Sequence, residues 1–173
     1  MILAIDPGLN GNCAVARLTH DGKGRVELLT VECLPKPKAK YTHGQRLGHF
    51  FRLLHEIPDV SLVLMEGPAF AVKNFTGIHT LAHLRGLVYL LSANVWKCEC
   101  IEVPPRALKK YATGNGNAPK DRMLKAAKLQ GYAGTDENEA DAWMLACYAM
   151  FSPTMPDGTA PGPLHLEVGK TLL

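Results

Sequence analysis

The sequence predicts an α/β domain, a mixed five-stranded sheet with helices on both faces. Three observations carry that expectation. The N-terminal segment holds three apolar runs joined by short links, two later apolar runs are each entered through a helical segment, and residues 105–151 read as three helices joined by short loops. Strands joined by hairpins pair antiparallel, whereas strands reached through helices pair parallel. The order β-β-β-α-β-α-β-α-α-α therefore implies one mixed sheet.

Residues 2–6 form an apolar run that stops at Pro7-Gly8. No basic segment precedes it, so it reads as a first strand and not as a signal peptide. Residues 12–18 and 25–33 read as two more strands, linked by His20-Asp21-Gly22-Lys23-Gly24, which is strong hairpin chemistry. The Pro-Lys loop 35–40 cannot pair as a central strand. Apolar residues at 47, 50, 51, 54 and 57 follow the helical period and predict a helix over 43–57. Residues 60–66 are nearly all apolar, as a buried parallel strand requires, and Gly67-Pro68 ends them. A long apolar helix is expected over 76–94 and a fifth strand over 98–103. Pro104-Pro105 then opens a helix at about 105–112, since proline suits the first turn. After the loop 114–119 come a basic helix over 120–130 and a last helix from near Asp136 to about Phe151, with Thr135 or Asp136 as N-cap. Residues 1–151 thus read as one domain. Residues 152–173, with four prolines and three glycines, read as an extended Pro/Gly-rich C-terminal tail.

Composition narrows the function classes. At 173 residues, 47% hydrophobic and 20% charged, the chain can bury a substantial core. No run approaches the ~18 consecutive apolar residues of a membrane span, so no membrane association is expected. Five cysteines, an odd number without a CxxC pair, suit reduced thiols in a cytoplasmic protein. The net charge of +3 is modest, but residues 97–128 carry eight Lys or Arg against three acids, and Lys36, Lys38 and Lys40 form a second cluster. Such local positive fields suit a polyanionic partner, although a solvated helix face has the same composition. No Gly-Lys-Ser/Thr phosphate loop is present.

Three acids sit where stability alone would not place them. Asp6 ends one apolar strand, Glu66 ends another, and Asp141 lies in a helix among Ala140, Ala142, Trp143, Met144 and Leu145. Buried carboxylates without partners are costly, so a cluster of them calls for cations. If the strands at 2–6 and 60–66 are adjacent and parallel, Asp6 and Glu66 share one sheet edge, and the final helix can bring Asp141 to them. Oxygen-only ligands suit Mg²⁺, with Mn²⁺ as substitute. Two such ions can clamp the attacking and leaving oxygens of a phosphodiester displacement. Singly, each acid also has a plain structural explanation: a turn at Asp6, a solvent-reaching strand end at Glu66, a helix-dipole acid at Asp141.

Taken in order, these segments resemble the RuvC family of Holliday junction resolvases, in a short, phage-like version. Ile5-Asp6-Pro7-Gly8 resembles the family's first-strand motif and Glu66 its second acid. Lys73-Asn74, followed by Arg85-Gly86, resembles the helix that comes next. Pro105-Arg106 with Lys109-Lys110, then Thr113-Gly114 through Lys120, resembles its lysine-bearing segment, and Glu139-Ala140-Asp141-Ala142 its last acidic helix. The resemblance spans residues 1–151. It implies an RNase H-like fold, a homodimer, and paired nicks in opposite strands of a four-way DNA junction. It further implies that Asp6, Glu66 and Asp141 hold two metal ions per site and that Lys109 and Lys120 support the scissile phosphate. Lys73, Arg85, Arg106, Lys110 and Arg122 are expected to contact DNA. The plain alternative for Lys109 and Lys120 is general backbone binding.

The chain departs from the family pattern at two places. Three positions before the last aspartate, where the family carries a further Asp or His ligand, stands Asn138. Its amide oxygen can ligate Mg²⁺ without adding charge, and Glu137 on the same helix face is a substitute. After Glu66 the segment carrying the family's junction-wedging aromatic is one residue longer. Phe70 is the better match and Phe75 the other, by stacking on exposed bases, although either also suits a core.

Other readings remain. His79 and His83, four apart on a helix, have a spacing that can bind zinc, but the metalloprotease pattern is absent. Tyr89, Trp96 and the apolar residues of the helix at 76–94 suit a core or a dimer interface. A flap or branched-DNA endonuclease and a cleavage-inactive junction-binding protein are the two rival functions. An actin-like ATPase or sugar kinase shares the Asp-bearing first strand but needs a duplicated domain.

Overall fold

Alternation along the first strand sets the architecture. In the computed structural model, which describes residues 1–8, 13–20, 26–33, 42–68 and 75–151, strand β1 (Ile2–Asp6) is buried along its whole length. It pairs antiparallel with β2 (Ala14–His20) and parallel with β4 (Leu62–Glu66). Strand β3 (Val26–Cys33) continues the antiparallel side and β5 (Glu99–Val103) the parallel side, giving the order β3-β2-β1-β4-β5. Central position explains the apolar run of β1, since both its faces must be covered.

Two cores follow from the period of two. Ile2, Ala4, Leu62 and Leu64 join one core with α3 (Pro105–Thr113), α4 (Lys120–Leu129) and α5 (Glu137–Phe151), through Leu108, Met123, Ala127 and Leu145. Leu3, Ile5, Val63 and Met65 join the other with α1 (His43–His55) and α2 (Phe75–Leu91), through Phe50, Leu54, Leu84 and Val88. Helices therefore cover both faces. No helix among the described residues is long and apolar enough to cross a membrane.

Local chemistry accounts for most element ends. Thr42 caps α1 in a reciprocal capping box with Gln45. Pro105 opens α3 and Gly114, with φ 76°, ends it in the left-handed conformation that glycine adopts without strain. Asp136, and not Thr135, closes the start of α5, its Oδ1 accepting from the N–H groups of Asn138 and Glu139.

Three sequence expectations need correction. Phe51, one of the apolar residues whose period predicts α1, is 39% exposed; the buried stripe is narrower and runs through Phe50 and Leu54. The second strand starts at Ala14 and extends to His20 because it pairs with β3 through a bulge at Arg17/Leu18. The long helix stops as an α-helix at Leu91 and continues as a π-helical turn, Ser92–Trp96, where Ser92 Oγ donates to the Val88 carbonyl and Lys97 turns left-handed with φ 53°. The expected tail and the loop 35–40 lie outside the described residues.

Candidate active site

The alternation that divides the cores also aims the acids. Asp6 follows Ile2 and Ala4 on one face of β1, and Glu66 follows Leu62 and Leu64 on the same face of β4. The parallel register pairs Ile5 with Met65, so one further step sets Asp6 beside Glu66. Helix α5 packs on that face and brings Asp141 to them. Asp6 is 6% and Asp141 8% exposed, and Glu66 is half-buried.

The electrostatics are those of acids crowded out of water. Burial raises the Asp6 carboxyl well above its ordinary range, and the negative charges of Glu66 and Asp141 add to it. Burial also raises Glu66, opposed by a hydrogen bond with Asp6 and by the charges of Lys109, Lys120 and Arg85. Burial and the neighbouring charges thus disfavour full ionisation of Asp6 and Glu66 side by side. Asp141 is pushed up to about 7 by burial and then by Glu66, while Lys120 and Lys109 oppose the shift. One of its oxygens, Oδ1, is buried with no hydrogen-bond partner. Such an orphaned carboxylate oxygen beside two further acids fits an oxygen-seeking divalent cation. Among the described residues, no three acidic, His or Cys side chains already close around a single point. An ion that keeps several waters and binds through one or two carboxylates does not need a closed cage.

The lysines expected here are brought to the acids. Lys109 comes from α3 and Lys120 from the start of α4, and both charges act on Glu66 and Asp141. Lys120 Nζ lies 3.7 Å from Glu137 Oε2 and 3.4 Å from Asn138 Oδ1. The amide oxygen of Asn138 is thus already engaged by a lysine. Glu139 turns away and accepts from the Tyr132 hydroxyl. Arg106, Lys110 and Arg122 are exposed on α3 and α4. Phe70, Lys73 and the lysines at 36, 38 and 40 lie outside the described residues, as does the side chain of Phe75. His43 Nε2 and His83 Nδ1 meet at 2.8 Å, tying α1 to α2.

Arg85 is placed differently from the DNA contact expected of it. Its side chain is 12% exposed, Nη1 donates to the Glu66 carbonyl at 2.6 Å, and Nη2 pairs with Glu102. The Tyr89 hydroxyl donates to the same Glu102 oxygen. Sequence reading did not connect Glu102 or Tyr89 to the site. The signal was present in β5, where Ile101 and Val103 join the α5 core, so Glu102 between them must face α2.

Comparison with known proteins identifies the family and the fold. The family model described as "Crossover junction endodeoxyribonuclease RuvC" matches residues 2–146. RuvC of Chlamydia muridarum is 30% identical over 167 residues, covering 88% of this chain and 93% of the relative. Thermus thermophilus RuvC superposes with a TM-score of 0.68 at 21% identity, covering 86% of this chain and 94% of that one. The same protein in complex with a Holliday junction substrate gives a TM-score of 0.70 at 18% identity, covering 84% and 89%. With the family model spanning nearly all of the sheet and helices, the chain belongs to the RuvC family of crossover junction endodeoxyribonucleases.

Proposed function

We propose that this protein resolves four-way DNA junctions by metal-assisted phosphodiester hydrolysis, one nick per subunit of a homodimer. The observation that carries this reading is the buried meeting of Asp6, Glu66 and Asp141, with an unpaired Asp141 oxygen and two lysines beside it. Asp6, Glu66 and Asp141 would hold two Mg²⁺ or Mn²⁺ ions, with Asn138 or, failing it, Glu137 as the further ligand. When bound, the metals supply Lewis acidity toward the phosphate and a nucleophilic water, leaving 5′-phosphate and 3′-hydroxyl ends. Because burial disfavours their ionised forms, Asp6 and Glu66 would bind metal in competition with protons. Lys109 and Lys120, fixed by separate helices, set positive charge where negative charge develops on the phosphate oxygens. Lys120 leaves Glu137 and Asn138 as it does so.

The DNA would run over the exposed side of α3 and α4, where Arg106, Lys110 and Arg122 meet backbone phosphates. Lys73 adds to that track, and Phe70 or Phe75 stacks on bases opened at the crossover. The homodimer is supported by a continuous exposed stripe on α2, Ile78, Ala82, Gly86, Tyr89 and Leu90. Its residues recur at helical spacing and include three large apolar or aromatic side chains that a free surface would not favour. The solved complex of the Thermus relative with a Holliday junction supports the choice of substrate.

Cleavage of a synthetic four-way junction beside a flap, a fork and linear duplex, with Mg²⁺, tests the proposal. Symmetric nicks confined to the junction and abolished by Asp6→Asn are expected. Equal cutting of flaps and forks would instead make it a general branched-DNA nuclease. Tight junction binding with no cutting would make it an inactive binding protein, and Asn138→Asp the first variant to try.

A further inference from the structure

The geometry points to Arg85 as a positioning residue for Glu66, supplying the backbone hydrogen bond that Pro7 cannot. The inference rests on the reading of Glu66 as a metal ligand. The Gly67 N–H donates to the Val103 carbonyl at 2.8 Å. The carbonyl of Glu66 belongs to the same peptide and therefore points the opposite way, toward β1. Extending the β1–β4 register by one step sets that carbonyl opposite the nitrogen of residue 7. Residue 7 is proline and has no N–H to give. The parallel ladder thus loses a bond at the residue that carries the second acid.

Arg85 reaches this gap from α2, on the opposite side of the sheet from α5. Its Nη1 fills the vacant position on the Glu66 carbonyl. Glu102 holds the other nitrogen of the fork, and Tyr89 holds Glu102. The next residue is pinned as well, because a Cβ at Gly67 would come within 3.2 Å of the Val103 carbonyl oxygen. An arginine with a rigid planar fork suits this work, since one group both donates to a carbonyl and pairs with a carboxylate. Tyr89 also lies on the exposed stripe of α2, so the chain of contacts runs from that helix face to the metal-binding carboxylate.

The test compares wild type, Arg85→Ala, Arg85→Lys and the double variant Pro7→Ala/Arg85→Ala. Three quantities are measured: Mn²⁺ affinity by calorimetry, the Mg²⁺ concentration for half-maximal junction cleavage, and junction affinity in EDTA. Arg85→Ala should weaken Mn²⁺ binding and raise the Mg²⁺ requirement by about tenfold, the lower end for residues that orient metal ligands. Junction affinity without metal should change by less than about twofold, as the guanidinium is not free to reach phosphate. Pro7→Ala, which returns an N–H opposite Glu66, should recover part of the lost Mn²⁺ affinity. Unchanged metal affinity together with weakened binding in EDTA would overturn the proposal and return Arg85 to the DNA surface. Should Arg85→Ala fail to fold, Arg85→Lys decides, with a raised metal requirement expected and a wild-type requirement sinking the idea. A wild type that binds Mn²⁺ in an Arg85-dependent way yet cuts no DNA would end the nuclease reading and leave this one intact.

Discussion

The two faces of the sheet are built from the same strands and do opposite things. Among the described residues, the core under α1 and α2 is made of large side chains, Leu3, Ile5, Phe50, Leu54 and Met65 among them, with no buried alanine. The face under α5 carries eight buried alanines, including Ala4, Ala14, Ala16, Ala140 and Ala142. Small residues let a helix approach closely, because contact distance follows the side chains between the packed elements. That approach is what carries Asp141 to Asp6 and Glu66. One face therefore contributes stability, while the other gives some of it up to confine three carboxylates.

Three experiments can break or sharpen this division. On the face under α1 and α2, Leu54→Ala should destabilise by about 2–5 kcal/mol, the usual range for such a core truncation. Its half-saturating Mg²⁺ concentration should stay that of wild type; a changed one would show that this core, and not Arg85 alone, reaches the metal site from the α1/α2 face. On the other face, Lys120→Ala should slow single-turnover junction cleavage by about a hundredfold, as loss of a charge at the reacting phosphate does. Its melting temperature should hardly move, since the Lys120–Glu137 pair is about half exposed at both ends and such pairs contribute little. A large fall in melting temperature without the rate loss would reverse the assignment.

The smallest effect is in pH. Asp6, Glu66 and Asp141 all have raised values in the folded state, Asp141 at about 7. The folded protein then holds protons that the unfolded chain releases. The stability this provides is complete below the ordinary carboxylate range and is lost as pH rises toward 7. Metal-free wild type should lose more melting temperature between pH 5 and pH 8 than Asp141→Asn does. Mn²⁺ at pH 8 should remove the difference, because it binds the ionised form. Parallel melting curves for the two proteins across that range would mean the acids are solvated.

Much of this was legible along the chain. Asp6 and Glu66 are conspicuous because each closes an apolar strand, and Asp141 because its neighbours in the helix are apolar. Turn chemistry marked Gly114 and Pro105, and the apolar period marked α1. Lys109 and Lys120 were a different matter. Nothing in their spacing separates them from Lys110 or Arg122, and only the resemblance singled them out before α3 and α4 were seen to carry their charge to Glu66 and Asp141. Arg85 was expected at DNA because a basic residue beside glycine on a helix reads as a surface contact; its partners within the chain, Glu66 and Glu102, lie on two different strands.

Periodicity, capping and breaking residues act within a few turns of chain, so the elements, their order and the exceptional acids follow from the order of residues alone. Which lysines meet those acids, and whether Arg85 faces DNA or the Glu66 carbonyl, depends on how helices seat on the sheet. That seating comes from the volumes packed between them: alanines under α5, large side chains under α1 and α2. It is a property of contacts between distant segments, and no local pattern encodes it.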